Sequence, residues 1–258
     1  MIKVNHVHKS FDGKEILHNI SAIFEQGKVN LTIGRSGSGK TVLLKSIVGL
    51  FSIDSGEIYY GDILFSALEG KEKRDIHKQV GMLFQGSALF DFATVEENVM
   101  FPMDMFTNMS KEEKRERANF CLSRVNIENA NSKYPSEISG GMQKRVAIAR
   151  AIALNPKYFF CDEPNSGLDP QTSILIDNLI KDITEEYQMT TIVNTHDMNS
   201  VLGIGEKIMF IYNSRIWWEG SKDNILESDN EELNDFVFAS QMARQAKKVI
   251  MEKRNNSK

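Results

Sequence analysis

Apolar positions alternate over short runs near both ends of this chain and recur every three to four residues through its middle. At the start, residues 2–7, 20–24 and 29–33 carry β-branched and aromatic residues at strand spacing, with Asp12-Gly13 and Gln26-Gly27 as turns. Val42, Leu43, Leu44, Ile47, Val48 and Leu50 then repeat with a helical period. A turn and strand over 54–61 and a short apolar strand over 80–84 follow. Thr94 with Glu97, and Ser110 with Glu113, are two capping boxes, and each predicts a helix start. A helix is expected over about 142–154, closed by Pro156. Residues 158–163 read as a buried strand, and Asp169-Pro170 as the N-cap and first residue of a helix to about 187. Residues 189–194 form the next expected strand, and 208–212 with 215–219 a hairpin around Asn213-Ser214.

Residues from about 86 to 155 are thus helix-rich between strand-rich flanks, and no Pro/Gly/Ser linker or repeat separates them. The pattern predicts one large domain with an α-helical subdomain inserted at about 86–155. After the 208–219 hairpin an acidic stretch (Asp223, Glu227, Asp229, Glu231, Glu232, Asp235) gives way to a basic one (Arg244, Lys247, Lys248, Lys253, Arg254). A helix with a solvated, fraying tail is expected there.

Composition narrows the classes. The 258 residues are 41% hydrophobic, enough for a substantial core, and the net charge of −4 lacks the basic field that nucleic acid would require. Two cysteines cannot form a disulfide framework, so Cys121 on a helix and Cys161 in a strand are expected to be reduced and buried. No apolar run reaches membrane-spanning length, and the amino terminus lacks a signal pattern. Service to a membrane would then go through a partner, from the cytoplasmic side. Met100-Phe101-Pro102-Met103-Asp104-Met105-Phe106-Thr107-Asn108-Met109 reads either as core or as an adaptable groove for a partner helix. His6 and His8 share a face of the first strand; with no third ligand near in sequence, an exposed edge is expected rather than a metal site.

The densest chemistry lies in Gly34-Arg35-Ser36-Gly37-Ser38-Gly39-Lys40-Thr41, a phosphate-binding loop between a strand and a helix. Its glycines let backbone N–H groups turn inward, Lys40 supplies a cation for β- and γ-phosphates, and the Thr41 hydroxyl suits Mg²⁺. The chain is therefore expected to bind a nucleoside triphosphate. Asp162 and Glu163 end a buried strand, where adjacent acids are costly unless used; Asp162 fits a metal partner and Glu163 the polariser of an attacking water. His196 follows the next strand and is a candidate for the γ-phosphate. Ser139-Gly140-Gly141 reads either as an ordinary N-cap or as a second anion cradle. Phe11 offers an aromatic surface on a turn.

Taken in order, Phe11, residues 34–41, Gln85, Ser139-Gly140-Gly141, Asp162-Glu163, Asp169 and His196 resemble the ATP-binding cassette (ABC) ATPases to about residue 225, which implies an ATPase domain over 1–225 and leaves 226–258 as a carboxyl-terminal extension. The resemblance implies an α/β P-loop NTPase (RecA-like) core with an antiparallel β subdomain and the inserted helical subdomain. It implies that Phe11 stacks on adenine and that Thr41, Gln85 and Asp162 attend Mg²⁺, with Gln85 also sensing a membrane subunit. Glu163 would activate water, while Lys40 and His196 contact the γ-phosphate. Ser139, Gly140 and Gly141 would bind the ATP of the opposite protomer in a homodimer, where Asp169 also contributes. The usual signature has Leu and Gln where this chain has Ile138 and Met142. Met142, the segment Phe84-Gln85-Gly86-Ser87-Ala88-Leu89-Phe90 and Asn165-Ser166-Gly167-Leu168-Asp169 resemble the ATPases of MCE/Mla-type phospholipid transporters. That resemblance implies a permease, an extracytoplasmic lipid-binding subunit and a place on the cytoplasmic face of the inner membrane. The alternatives are an ABC importer of another solute and a regulatory, non-transporting ABC ATPase of the envelope.

Overall fold

The computed structural model describes residues 1–239 together with Arg244, Gln245, Lys247 and Val249. Lys248, Lys253 and Arg254 of the expected basic tail lie outside the described residues. In chain order the elements are β1 (Ile2–Phe11), β2 (Lys14–Phe24), β3 (Val29–Ile33), α1 (Lys40–Val48), β4 (Ser55–Tyr60), β5 (Ile63–Leu64), α2 (Gly70–His77) and β6 (Val80–Leu83). They continue with α3 (Val95–Phe106), α4 (Lys111–Arg124), α5 (Gly140–Ile152), β7 (Tyr158–Asp162), α6 (Pro170–Tyr187), β8 (Thr190–Thr195) and α7 (Met198–Ile204). The last are β9 (Lys207–Tyr212), β10 (Arg215–Gly220), α8 (Lys222–Glu227) and α9 (Glu231–Val237).

Two sheets form, as the α/β reading requires. One is antiparallel, in the order β2-β1-β4-β5; the other runs β10-β9-β3-β8-β7-β6 and is parallel except for β10. Strand periodicity explains why the larger sheet serves two cores. Phe159 and Cys161 of β7, and Ile208 and Phe210 of β9, point into one core with α3–α6. Their alternating neighbours Phe160, Met209 and Ile211 point into the other, with α1 and the smaller sheet. Both cysteines are free and buried.

Parallel pairing has a direct consequence for the site. Ile33 pairs with Thr195, Asn194 with Asp162, and Cys161 with Leu83, so the carboxyl ends of β3, β8, β7 and β6 share one edge. The loop at 34–41, His196, Glu163 and Gln85 each follow one of these ends. An open α/β sheet binds ligands along that edge.

Several expectations need correction. β1 runs through Phe11, which ends the strand rather than sitting on the turn. β1 is interior, between β2 and β4, so His6 and His8 are not on an edge. The acidic stretch after residue 222 forms two short helices rather than one solvated helix. These bury Ile225, Leu233 and Val237 in the larger core. The methionine segment splits: Met100 and Met103 are buried in α3, while Phe101, Met105 and Phe106 are exposed.

Candidate nucleotide site

The glycine loop is built as its residue types demand. Gly37 and Gly39 take φ of 80° and 108°, which L side chains rarely adopt. A Cβ on Gly34 would stand 2.5 Å from the Ile211 carbonyl oxygen, so the loop packs against β9 only because nothing projects there. Within this cradle Lys40 is 7% exposed, and its ammonium donates to the carbonyls of Gly34 (2.8 Å) and Arg35 (3.3 Å). Burial lowers the Lys40 pKa, against the opposing pull of Glu163 and Asp162. The Ser38 hydroxyl is buried and, among the described residues, has no hydrogen-bond partner. An orphaned donor in an inward-turned loop fits an anionic ligand whose oxygens complete it. Arg35 and Ser36 are the exposed tip of the loop.

Opposite the loop, Asp162 Oδ1 accepts from the Thr41 hydroxyl (3.1 Å) and from Asn194 Nδ2 (3.0 Å). Two oxygen donors of this kind suit a hard cation such as Mg²⁺. Glu163 follows, at a left-handed φ of 50°, with its N–H bonded to the Asn194 carbonyl (3.0 Å). A non-glycine residue there carries backbone strain, which this bond to β8 holds in place. The Glu163 carboxylate lies between two cations or potential cations: Oε2 is 2.7 Å from His196 Nδ1, and Oε1 is 3.9 Å from Lys40 Nζ. His196 itself is largely open to solvent.

Gln85 Nε2 donates to the Ser166 hydroxyl at 3.3 Å, which ties the loop after β6 to the loop after Glu163. Phe11 keeps an exposed face; Phe51 packs edge-on at 5.3 Å and Lys9 Nζ sits 5.2 Å from its ring centre. Ser139 caps α5 by accepting from the Met142 N–H (3.3 Å). Gly141 is needed for packing, because a Cβ there would meet Thr172 Cγ2 at 2.7 Å. Asp169 caps α6 through the N–H groups of Gln171 and Thr172, both at 3.0 Å. The structure thus brings Gly34, Lys40, Thr41, Gln85, Asp162, Glu163 and His196 to one edge. Ser139, Gly140, Gly141 and Asp169 instead lie where the start of α5 meets Leu168 and the first turn of α6.

Three supporting residues escaped the sequence reading. Asn194 orients Asp162. Lys144, buried on α5, donates to the Gln85 carbonyl. Arg150 donates to the carbonyls of Ser87 (2.9 Å) and Ala88 (2.7 Å), both at positive φ. A cation on an otherwise apolar helix face was the available signal for the last two.

Asp177 on α6 accepts from Asn165 Nδ2 at 2.8 Å, and burial pushes its carboxyl up to about 6. The folded chain then holds this proton more tightly than the unfolded one. Its contribution to stability is full below the unfolded value of 3.8 and is lost as pH rises through about 6. Asp177→Asn is therefore expected to raise Tm at pH 7 by several degrees, on the order of 2–3 kcal/mol. The gain should shrink toward pH 4 in a thermal melt series.

Comparison with known proteins accords with this geometry. Residues 17–166 match the family model described as ABC transporter. The methionine import ATP-binding protein MetN of Clostridioides difficile is 35% identical over 237 residues, covering 92% of this chain and 74% of that protein. The probable ribonucleotide transport ATP-binding protein mkl of Mycobacterium tuberculosis is 33% identical over 236 residues, 92% of this chain and 66% of that one. Among solved structures, the dimeric ATP-binding cassette MJ0796 bound to ADP and Pi superposes with a TM-score of 0.79 at 34% identity. It covers 86% of this chain and 99% of its own. CbiO1 of Clostridium perfringens, part of the ABC transporter complex cbiONQ, gives 0.82 at 26% identity, covering 97% and 98%. The fold is the ABC ATPase fold, and the chain belongs to the ABC transporter family as an ATP-binding, ATP-hydrolysing subunit.

Proposed function

We propose that this chain drives an ABC importer by closing, as a homodimer, over two Mg²⁺–ATP and passing that motion to a membrane permease. One observation carries the proposal: a glycine cradle with its lysine, a metal-suited Asp162 and a His196-bonded Glu163 meet at one sheet edge. In this reading Phe11 stacks on the adenine, and the N–H groups of residues 34–41 with Lys40 hold the phosphates. Thr41, Gln85 and Asp162 would hold Mg²⁺, which supplies charge neutralisation on the β- and γ-phosphates when bound. Glu163 takes the proton of a water attacking the γ-phosphorus in line, as the bond to the leaving ADP oxygen breaks. His196 orients Glu163 through the 2.7 Å contact and faces the γ-phosphate. Ser139, Gly140 and Gly141 offer free N–H groups at the start of α5, and in the dimer they would cover the partner's nucleotide along with Asp169.

The route to a permease is an open apolar groove of about 370 Å³ beside the Gln85 loop. It is lined by Met82, Phe84, Phe90, Phe101, Pro102 and Phe106, with Arg150 at its wall. A short amphipathic helix of a permease fits such a surface. Among the described residues no helix is long and apolar enough to cross a membrane; in this reading the permease anchors the chain as a peripheral subunit on the cytoplasmic face. Phe101→Asp with Phe106→Asp is expected to cut permease binding at least tenfold, because two charges would enter an apolar contact. ATP turnover of the isolated subunit should stay within about twofold. A pull-down and a phosphate-release assay measure the two.

The methionine import name of MetN favours an importer, and the ribonucleotide transport name of mkl likewise points to a small solute as cargo. A second reading, phospholipid transport with an extracytoplasmic lipid-binding subunit, rests on the resemblance of Met142 and of residues 84–90 and 165–169 to the ATPases of MCE/Mla-type transporters. Reconstitution with the co-purifying permease in liposomes separates them. ATP-dependent uptake of an amino acid or nucleotide is expected; lipid transfer between vesicles without solute uptake would replace the importer reading.

A further inference from the structure

The β1–β2 hairpin carries a side-chain cluster that nucleotide chemistry does not use. His8 Nδ1 lies 2.8 Å from Glu15 Oε1, and His18 Nδ1 lies 2.5 Å from Glu15 Oε2. The two imidazoles meet edge to face with centres 5.2 Å apart. One ligand atom from each of the three residues lies within 4.8 Å of the others.

This convergence is built by bulges, not by ordinary strand geometry. Val7 pairs with Ile20 but Lys9 with Leu17, so His18 and Asn19 together face the single residue His8. Lys9 pairs with Leu17 and Ser10 with Glu15, which leaves Ile16 as a second extra residue on β2. In a regular strand, residues three apart point to opposite faces. Here the extra residue puts Glu15 and His18 on one face while Leu17 and Ile20 both stay buried. His6 turns away, its Nδ1 bonded to the Asn19 side chain at 2.8 Å. The third ligand absent from the local sequence therefore comes from the next strand.

We propose that His8, Glu15 and His18 form a binding site for Zn²⁺ that clips β1 to β2. Two imidazoles and one carboxylate, with a fourth position open to water, are a zinc donor set. The ion takes the ring lone pairs that Nδ1–H protons cover when the rings bond to Glu15, and each ring carries its proton on Nε2 instead. The clip would stiffen the hairpin that ends in Phe11. It also lies beside the glycine loop: a Cβ on Gly39 would stand 2.9 Å from the Ile16 carbonyl.

The test uses the full chain without nucleotide, in millimolar Mg²⁺, titrated with Zn²⁺ against a chromophoric chelator. One equivalent is expected, bound at least tenfold more weakly in His8→Ala, His18→Ala and Glu15→Gln. The His8→Ala/His18→Ala double variant should not bind. His196→Ala is the control for the other histidine–carboxylate pair and should bind as wild type does. Zn²⁺ is also expected to raise Tm by several degrees and to slow amide exchange over residues 8–18 in wild type but not in the double variant. Equal chelator-treated Tm values show that the variants fold; if the double variant does not, Glu15→Gln carries the comparison. No Zn²⁺ uptake by wild type, or uptake unchanged when the cluster is altered, overturns the proposal.

Discussion

Glu163→Gln is expected to slow steady-state ATP turnover about 10²- to 10⁴-fold, the range a positioned general base supplies. The substitution is nearly isosteric, so it isolates chemistry from architecture. Gln at position 163 can keep the φ of 50° and the N–H bond to Asn194, and its amide oxygen can still accept from His196 Nδ1. What it loses is a lone pair basic enough to take a proton from water. ATP binding should persist, and removing a negative charge 3.9 Å from Lys40 Nζ should strengthen it. With hydrolysis blocked and both phosphates held, the closed homodimer should outlive a gel-filtration run in ATP and Mg²⁺. Turnover close to wild type would take the base role from Glu163. A monomer in ATP and Mg²⁺, with the permease supplied, would remove the dimer on which the proposed mechanism depends.

The parts of this site that were legible in the sequence are those whose chemistry is local. Residues 34–41 carry their own glycines, cation and hydroxyl, and Asp162-Glu163 announce themselves as adjacent acids ending an apolar strand. Long-range partners left no trace. Lys144 meets the Gln85 carbonyl across 59 residues, and Asn194 reaches Asp162 across 32, so neither spacing has a local meaning. Bulges were equally silent. The apolar pattern at Leu17 and Ile20 looks like a broken strand, and only the register shows that an extra residue gathers His8, Glu15 and His18 on one face. A helix after residue 222 was legible, but its division into α8 and α9 and their docking through Ile225, Leu233 and Val237 were not, because acidic residues are interleaved with the apolar ones that face the core. Whether Ser139-Gly140-Gly141 serves its own nucleotide or a partner's depends on a second chain, which no single sequence encodes by spacing.

Lys40→Met is expected to separate folding from binding at the same residue. In the free protein the Lys40 ammonium is buried, and burial lowers its pKa from 10.5. The unfolded chain therefore binds this proton more tightly, so the charge costs stability below the lowered value. Stability recovers as pH rises from there toward 10.5. Removing the charge relieves that cost, while the carbonyls of Gly34 and Arg35 lose a donor worth about 1.5–3 kcal/mol. The two effects oppose each other, and Tm without nucleotide should move by only a few degrees. Binding has no such compensation. Lys40 is the buried cation of the cradle, and its loss should weaken ATP at least about 100-fold, near 3 kcal/mol by the usual conversion. Calorimetric titration with ATP and a thermal melt on the same preparation read the two quantities. The alkaline rise in stability should be smaller in the variant, which identifies the relieved charge as Lys40. Retained ATP affinity would mean that backbone N–H groups alone hold the phosphates, and the cradle reading would have to be rebuilt around Ser38 and the start of α1.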